Sequence, residues 1–203
     1  GTGATRNVSR ESFPNGTSLG GINPQYFYRY NQSVAGTGGG YNVVLAQKVE
    51  DIRAFAVQSV TLSFWAKGSS ALTLPTLSYW HYLGVGGSGG NLVGNGNYNV
   101  VNFGQNAALT TSWQKYTYTF TMPSLSGTTI GSGGFGYLEF YAPVNVVQTI
   151  DFWGIQLELG TSATQFTRAG GTITGELASC QRYYFRMGGD SNYQRYGTGY
   201  SFS

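Results

Sequence analysis

The sequence predicts an all-β fold: an antiparallel jelly-roll β-sandwich followed by a short helical or irregular C-terminal tail. Three observations predict it. Apolar and polar residues alternate with period two through most apolar segments, as in strands buried on one face. Glycine-rich connectors separate those segments, and 32 of the 203 residues are glycine. No strand pattern is followed by a helical one before residue 176, so the βα alternation of a doubly wound fold is missing. Aromatic residues at 16% argue against disorder, and charged residues at only 9% imply a polar but mostly uncharged surface.

Taken in order, the strand candidates begin with residues 26–30 and 41–49. The run 59–67 places Val60, Leu62, Phe64 and Ala66 on one face and Thr61, Ser63, Trp65 and Lys67 on the other. Residues 72–83 form a further candidate, which Pro75 marks as an edge or irregular strand because proline cannot donate to a ladder. In 114–122, Tyr116, Tyr118, Phe120 and Met122 oppose Lys115, Thr117, Thr119 and Thr121. Residues 137–141 follow. The closing strand then puts Trp153, Ile155, Leu157 and Leu159 on one face, with Gln156 and Glu158 pointing away. The connectors 36–40, 84–96 and 127–136 supply positive-φ turns. The 84–90 run has neither the Lys-Ser/Thr pair nor the helix start of a phosphate loop. Leu177, Cys180, Gln181 and Tyr184 recur at helical spacing and predict a short helix over 176–186. The expected division is a sandwich over 1–170 and a tail over 171–203, packing on the sandwich or on a neighbouring subunit.

Charge and cysteine usage narrow the function. The net charge of +3 comes from 11 Lys and Arg against 8 Asp and Glu scattered along the chain, so nucleic-acid binding, which needs clustered cations, is not expected. Cys180 stands alone, which excludes an intrachain disulfide and a cysteine metal framework. The start shows no signal-peptide pattern and no apolar run reaches membrane-spanning length, so membrane insertion is not expected either. The sequons at Asn7, Asn15 and Asn31 read as chance in an Asn/Ser/Thr-rich chain.

Catalytic vocabulary is sparse. Glu50 and Asp51 are adjacent, hence on opposite faces of a strand; Asp151 and Glu158, seven apart, have opposite parity as well. Neither is the carboxylate pair a glycosidase needs. His81 is the only histidine, so any triad would depend on it, and zinc is disfavoured. The expectation is a protein that is not an enzyme and requires no cofactor. Neutral sugars are bound by aromatic faces with hydrogen-bonding neighbours. Tyr79, Trp80, His81 and Tyr82, with the Asn-rich stretch 91–102, are the candidates for such a site; Trp65 and Trp113 are alternative platforms or interface anchors.

Several collinear stretches carry a resemblance that covers about residues 8–186. They include 8–13 (VSRESF), 47–53 (QKVEDIR), 60–67 (VTLSFWAK), 84–90, and Trp113-Gln114-Lys115-Tyr116 with the 122–127 segment (MPSLSG). The last is Gln156-Leu157-Glu158-Leu159-Gly160 with Ala163, Thr164, Phe166 and Arg168. Together they resemble a jelly-roll domain of bacteriophage tail fibre and minor tail proteins. The resemblance implies a carbohydrate-binding-module type of jelly roll in a virion fibre or spike, assembled as a homotrimer among other virion proteins, and recognising or displaying recognition of a host cell-surface glycan. Its alternatives are a purely structural virion protein, such as a capsid decoration or tail adaptor, and a polysaccharide depolymerase. Jelly rolls of this type also carry structural calcium, for which Glu11, Glu50, Asp51 and Glu158 are the candidate ligands.

Overall fold

The computed structural model describes residues 3–49, 53–74, 77–83, 98–102, 107–127, 129–131, 134–168 and 170–181, with backbone alone at 41–43, 98–102, 173 and 179–181. The chain falls into two units, Gly1–Phe166 and Thr167–Ser203. The first is all β. Its strands are β1 (Thr5–Ser12), β2 (Tyr26–Val34), β3 (Tyr41–Val49), β4 (Ser59–Gly68), β5 (Leu72–Leu74), β6 (Leu77–Tyr82), β7 (Tyr98–Asn102), β8 (Ala107–Leu109), β9 (Gln114–Thr121), β10 (Phe135–Pro143) and β11 (Gln148–Leu159).

The described strands pair antiparallel into a five-stranded sheet, β1-β2-β11-β4-β9, a four-stranded sheet, β3-β10-β6-β7, and the short ladder β5-β8. This is the expected jelly-roll β-sandwich. The two larger sheets meet over one core, and β4 shows why. Its inner residues Val60, Leu62, Phe64 and Ala66 are completely buried. Phe64 meets Phe140 of the opposite sheet edge-on at 5.0 Å and Phe152 of β11 at 6.2 Å. Each such side chain contributes about 1.5–3 kcal/mol of burial. Close approach also fixes one glycine: a Cβ at Gly136 on β10 would lie 1.7 Å from the Tyr79 hydroxyl, so only glycine admits that tyrosine into the core.

The 72–83 run contains two strands, β5 and β6. Its first part pairs with β8 and its second enters the four-stranded sheet, with residues 75–76 outside the described set. β7 and β8 had no sequence expectation. Both are short, at five and three residues, and carry too few alternations to register.

The closing strand corrects the sequence reading. Gly154 adopts φ +62°, a left-handed conformation, and the β4 ladder shifts register between Trp153 and Gln156. A bulge reverses parity beyond it. Ile150 and Phe152 face the core before the bulge, and Ile155 and Leu157 do so after it, whereas Trp153 points outward opposite Trp65. The four apolar residues therefore do not share a face, and Leu159 is exposed. By the same shift Asp151, opposite Lys67, and Glu158, opposite Thr61, lie on one face after all.

In the second unit, α1 (Ile173–Gln181) starts three residues before its expected position. Thr172 provides the start: its hydroxyl accepts the Gly175 N–H at 3.1 Å and its carbonyl accepts the Glu176 N–H at 3.0 Å. Arg168 and Glu176 form an ion pair at 3.4 Å. Residues 182–186 of the expected helix, and the tail beyond, lie outside the described residues. Among the described residues no helix is long and apolar enough to cross a membrane.

Candidate functional site

Strand alternation divides the Tyr79–Tyr82 patch that the sequence offers as one surface. On β6, Tyr79 and His81 turn inward and are completely buried, while Trp80 and Tyr82 turn outward and are half-buried. Tyr79 and His81 are therefore removed from any sugar-binding surface. Their rings meet edge-on at 5.4 Å in the core. Neither ring nitrogen of His81 has a hydrogen-bond partner among the described residues, and burial pushes its pKa down, so the imidazole is held neutral.

β10 completes the outward face. Its alternation places Phe135, Tyr137, Glu139 and Tyr141 outward, and the register sets Phe135 opposite Tyr82, Tyr137 between Trp80 and Lys48, and Glu139 between Ser78 and Ala46. The Tyr82 and Phe135 rings stack at 4.8 Å and 18°, and Tyr137 stands nearly perpendicular to both, at 6.3 and 6.1 Å. The Lys48 ammonium lies over the Phe135 ring, 4.6 Å from its centroid. Across this aromatic face Glu139 and Lys48 are the only acidic and basic residues that the four strands contribute.

Glu139 is 7% exposed and accepts a hydrogen bond from the Tyr141 hydroxyl. Burial raises its pKa above the ordinary carboxylate range, against the opposing effect of hydrogen bonds from Tyr141 and Trp80. Tyr141 is itself pushed far up, first by burial and then by donating to Glu139, so its proton stays on oxygen. The result is a carboxylate framed by partly exposed rings that present flat apolar surface. Sequence reasoning named Trp80 and Tyr82 but missed Phe135, Tyr137, Glu139, Tyr141 and Lys48. The available signal was parity: in the expected strand 137–141 the odd positions are Tyr, Glu and Tyr, a polar-aromatic face opposite Leu138 and Phe140.

Trp65 and Trp113 belong elsewhere. They flank a second apolar cluster of Phe13, Leu19, Phe27 and Trp153, joined by Ile22 and Phe166, on the outer face of the five-stranded sheet. Phe13 contacts Phe27 at 4.8 Å, Trp113 at 5.1 Å and Trp153 at 6.3 Å. Beside the cluster, buried Asp151 pairs with Arg29 at 2.7 Å and Lys67 at 3.5 Å. Trp65 and Trp113 are both half-buried, packed against the cluster that Phe13 and Leu19 bring from the loop after β1.

Of the candidate calcium ligands, Glu11 and Glu158 lie among the described residues, and each is engaged by its own neighbours. Glu11 accepts the Ser9 hydroxyl at 2.7 Å. Burial is the largest single influence on Glu158 and raises its pKa, but the backbone N–H and hydroxyl of Thr164, the Gln156 amide and the nearby Lys115 charge together outweigh it and lower the pKa. Glu50 and Asp51, like residues 91–97 of the Asn-rich stretch, lie outside the described residues. Among the described residues no three His, Cys, Asp or Glu side chains cluster as a metal site would require. A depression of about 520 Å³ opens along β1, β2 and β11, lined by Val8, Arg10, Tyr26, Tyr28, Phe152 and Ile155 among others. It follows from the splaying of β2 and β11 beyond the Tyr28–Phe152 pair, and none of its lining residues is a carboxylate.

No family model matches the chain, and no curated protein matches it. Among solved structures it is similar to a family 30 carbohydrate-binding module at 13% identity and TM-score 0.48, covering 78% of this chain and 76% of that one. The family 30 module of a Clostridium thermocellum cellulosomal cellulase gives 14%, 0.45, 78% and 92%. The enzymatically active domain of tailspike protein 4 from bacteriophage CBA120 gives 13% identity and TM-score 0.45 over 76% of this chain, which spans only 19% of that chain.

Proposed function

We propose that the chain recognises a host-surface glycan as part of a phage tail fibre or spike, binding it on the outward face of the four-stranded sheet. The observation that carries this reading is the set of partly exposed rings, Trp80, Tyr82, Tyr137 and Tyr141, arranged around Glu139. Pyranose rings stack their apolar faces on such side chains, while a carboxylate accepts from sugar hydroxyls. The role is binding without catalysis, because Glu139 has no second carboxylate from the four strands to share acid and base duties. The segmental resemblance to phage tail proteins supports the virion setting and a homotrimeric assembly.

A glycan array probed with the wild-type chain and with Trp80→Ala tests the reading. Binding to a host polysaccharide that drops at least about ten-fold in the variant supports it. Sedimentation tests the assembly, where a stable monomer removes the trimer. A second reading, a structural virion protein that contacts only other virion proteins, draws on Val8, Tyr26 and Val34, exposed along β1 and β2. Absence of binding to every host glycan would favour it.

A further inference from the structure

Two carboxylates among the described residues are buried, Asp151 at 3% exposure and Glu139 at 7%. Buried charges are paired, because an ion removed from water without a counter-charge is costly. Asp151 obeys this rule twice over, with Arg29 and Lys67. Glu139 has no ion pair among the described residues. The one cation its sheet supplies, Lys48, is seated on the Phe135 ring instead. Glu139 is also not simply sunk in the core, since it faces outward between Tyr137 and Tyr141, beside Trp80 across the ladder. The Lys48–Phe135 contact shows that rings of this face accept an ammonium.

Resting on the glycan-binding reading above, we propose that this face selects glycans carrying free, protonated amino groups, whose ammonium supplies the counter-charge that Glu139 lacks. The sugar ring stacks on Trp80 or Tyr137 while its ammonium approaches Glu139. The hydroxyl of Tyr141 holds the carboxylate in place from the side. Acetylating the amine removes the charge and with it the preference, but leaves the stacking surface intact. Acidic sugars are disfavoured at the same position by repulsion.

The test compares affinity for a glucosamine oligomer and an N-acetylglucosamine oligomer of equal length, with polylysine as a competitor. The expected result is about ten-fold tighter binding of the free-amine oligomer by the wild type, a ratio within reach of one desolvated cation–π and charge contact. Glu139→Gln, close in shape, should reduce that ratio to within about two-fold, because it costs the free-amine oligomer more affinity than the acetylated one. If Glu139→Gln fails to fold, the wild type alone decides: the preference must shrink as salt rises, because it is electrostatic. Equal binding of the two oligomers, a preference insensitive to both Glu139→Gln and salt, or polylysine competing as well as the free-amine oligomer would each overturn the inference. So would binding confined to other neutral or to acidic glycans, although the platform reading would stand in those cases if Trp80→Ala abolished the binding. No binding to any glycan overturns both.

Discussion

The outward faces of the two sheets are both rich in aromatic rings, yet they are finished in opposite ways. On the five-stranded sheet, Trp153 and Phe27 are buried under the protein's own chain, and Trp65 packs half-buried against them. Phe13, Leu19 and Ile22, from the connection between β1 and β2, fold over them, and Phe166 closes from the other side, 5.2 Å from Trp153. Gln165 ties the two covering segments together through the Gly20 carbonyl at 3.0 Å. Charges there are also satisfied internally, by Arg29 and Lys67 around Asp151. On the four-stranded sheet the rings stay partly exposed, and Glu139 lacks a cation among the described residues. The difference teaches that an outward aromatic residue is neither core nor platform by position. What the rest of the chain lays over it decides.

The sealed face offers the sharpest break. Trp153→Ala should remove about 3–5 kcal/mol of stability, the usual cost of truncating a buried tryptophan, because the cluster loses its central ring. Denaturant unfolding of the whole chain measures it. A loss below about 1 kcal/mol would mean that the covering loop contributes little and that the two faces are not so different.

The next effect lies on the inner side of the sheet that carries the open face. His81 is buried with both nitrogens unpartnered among the described residues, so His81→Leu, which fills similar volume without polar atoms, should gain roughly 1–3 kcal/mol at neutral pH. The pH dependence follows from the direction of the shift. Burial holds the folded-state pKa below 6.5, so the unfolded chain takes the proton first. The contribution of His81 to stability is fully present above about pH 6.5 and is lost as pH falls from there through the folded-state value. Melting temperatures across that range should fall in the wild type and flatten in His81→Leu. An unchanged acid limb would place the proton uptake elsewhere.

How much of this contrast was legible in the sequence depends on the distance over which each feature is encoded. Alternation in 59–67 and 114–122 is local, and it located β4, β9 and the core residues on β4. The parity of 153–159 failed because a single glycine, Gly154, introduces a bulge whose effect appears only when β11 is laid against β4. Trp65 and Trp113 read as alternative platforms to the Tyr79–Tyr82 patch because they lie on the polar faces of their strands. Nothing local says that Trp65 and Trp113 will pack into one cluster with Phe13 and Phe166; Phe13 lies 100 residues from Trp113 along the chain. Grouping Tyr79 to Tyr82 as one patch ignored the period that had served elsewhere: two of its four rings point into the core. Glu139 stands out through the absence of a cationic partner among the described residues, a feature that no carboxylate-pair pattern in the sequence signals.

Gly154 tests the bulge itself. A Cβ there would sit 3.5 Å from the Phe166 ring, so space is adequate and the cost is conformational. At φ +62° an L-residue is disfavoured by about 1–2 kcal/mol, and Gly154→Ala should destabilise by that amount. Loss of the same amount in a Trp153→Ala background would show that the bulge and the sealed cluster contribute independently; a smaller loss would show that Gly154 matters because it turns Trp153 outward.

The smallest stability effect is expected where the largest binding effect lies. Tyr82 stacks on Phe135 at 4.8 Å but remains partly exposed, and nothing in the core rests on it. Tyr82→Ala should therefore cost about 1 kcal/mol or less, the scale of one aromatic pair, against the several expected for Trp153. If its ring is part of a sugar platform, the same change weakens glycan binding by more than its stability cost explains, because stacking is lost in the complex and not in the free protein. Measured together by denaturation and by affinity electrophoresis in polysaccharide gels, the two numbers locate each ring between core and platform. A ring that costs stability and leaves binding untouched belongs with Trp153. One that leaves stability nearly unchanged and abolishes binding belongs to the open face.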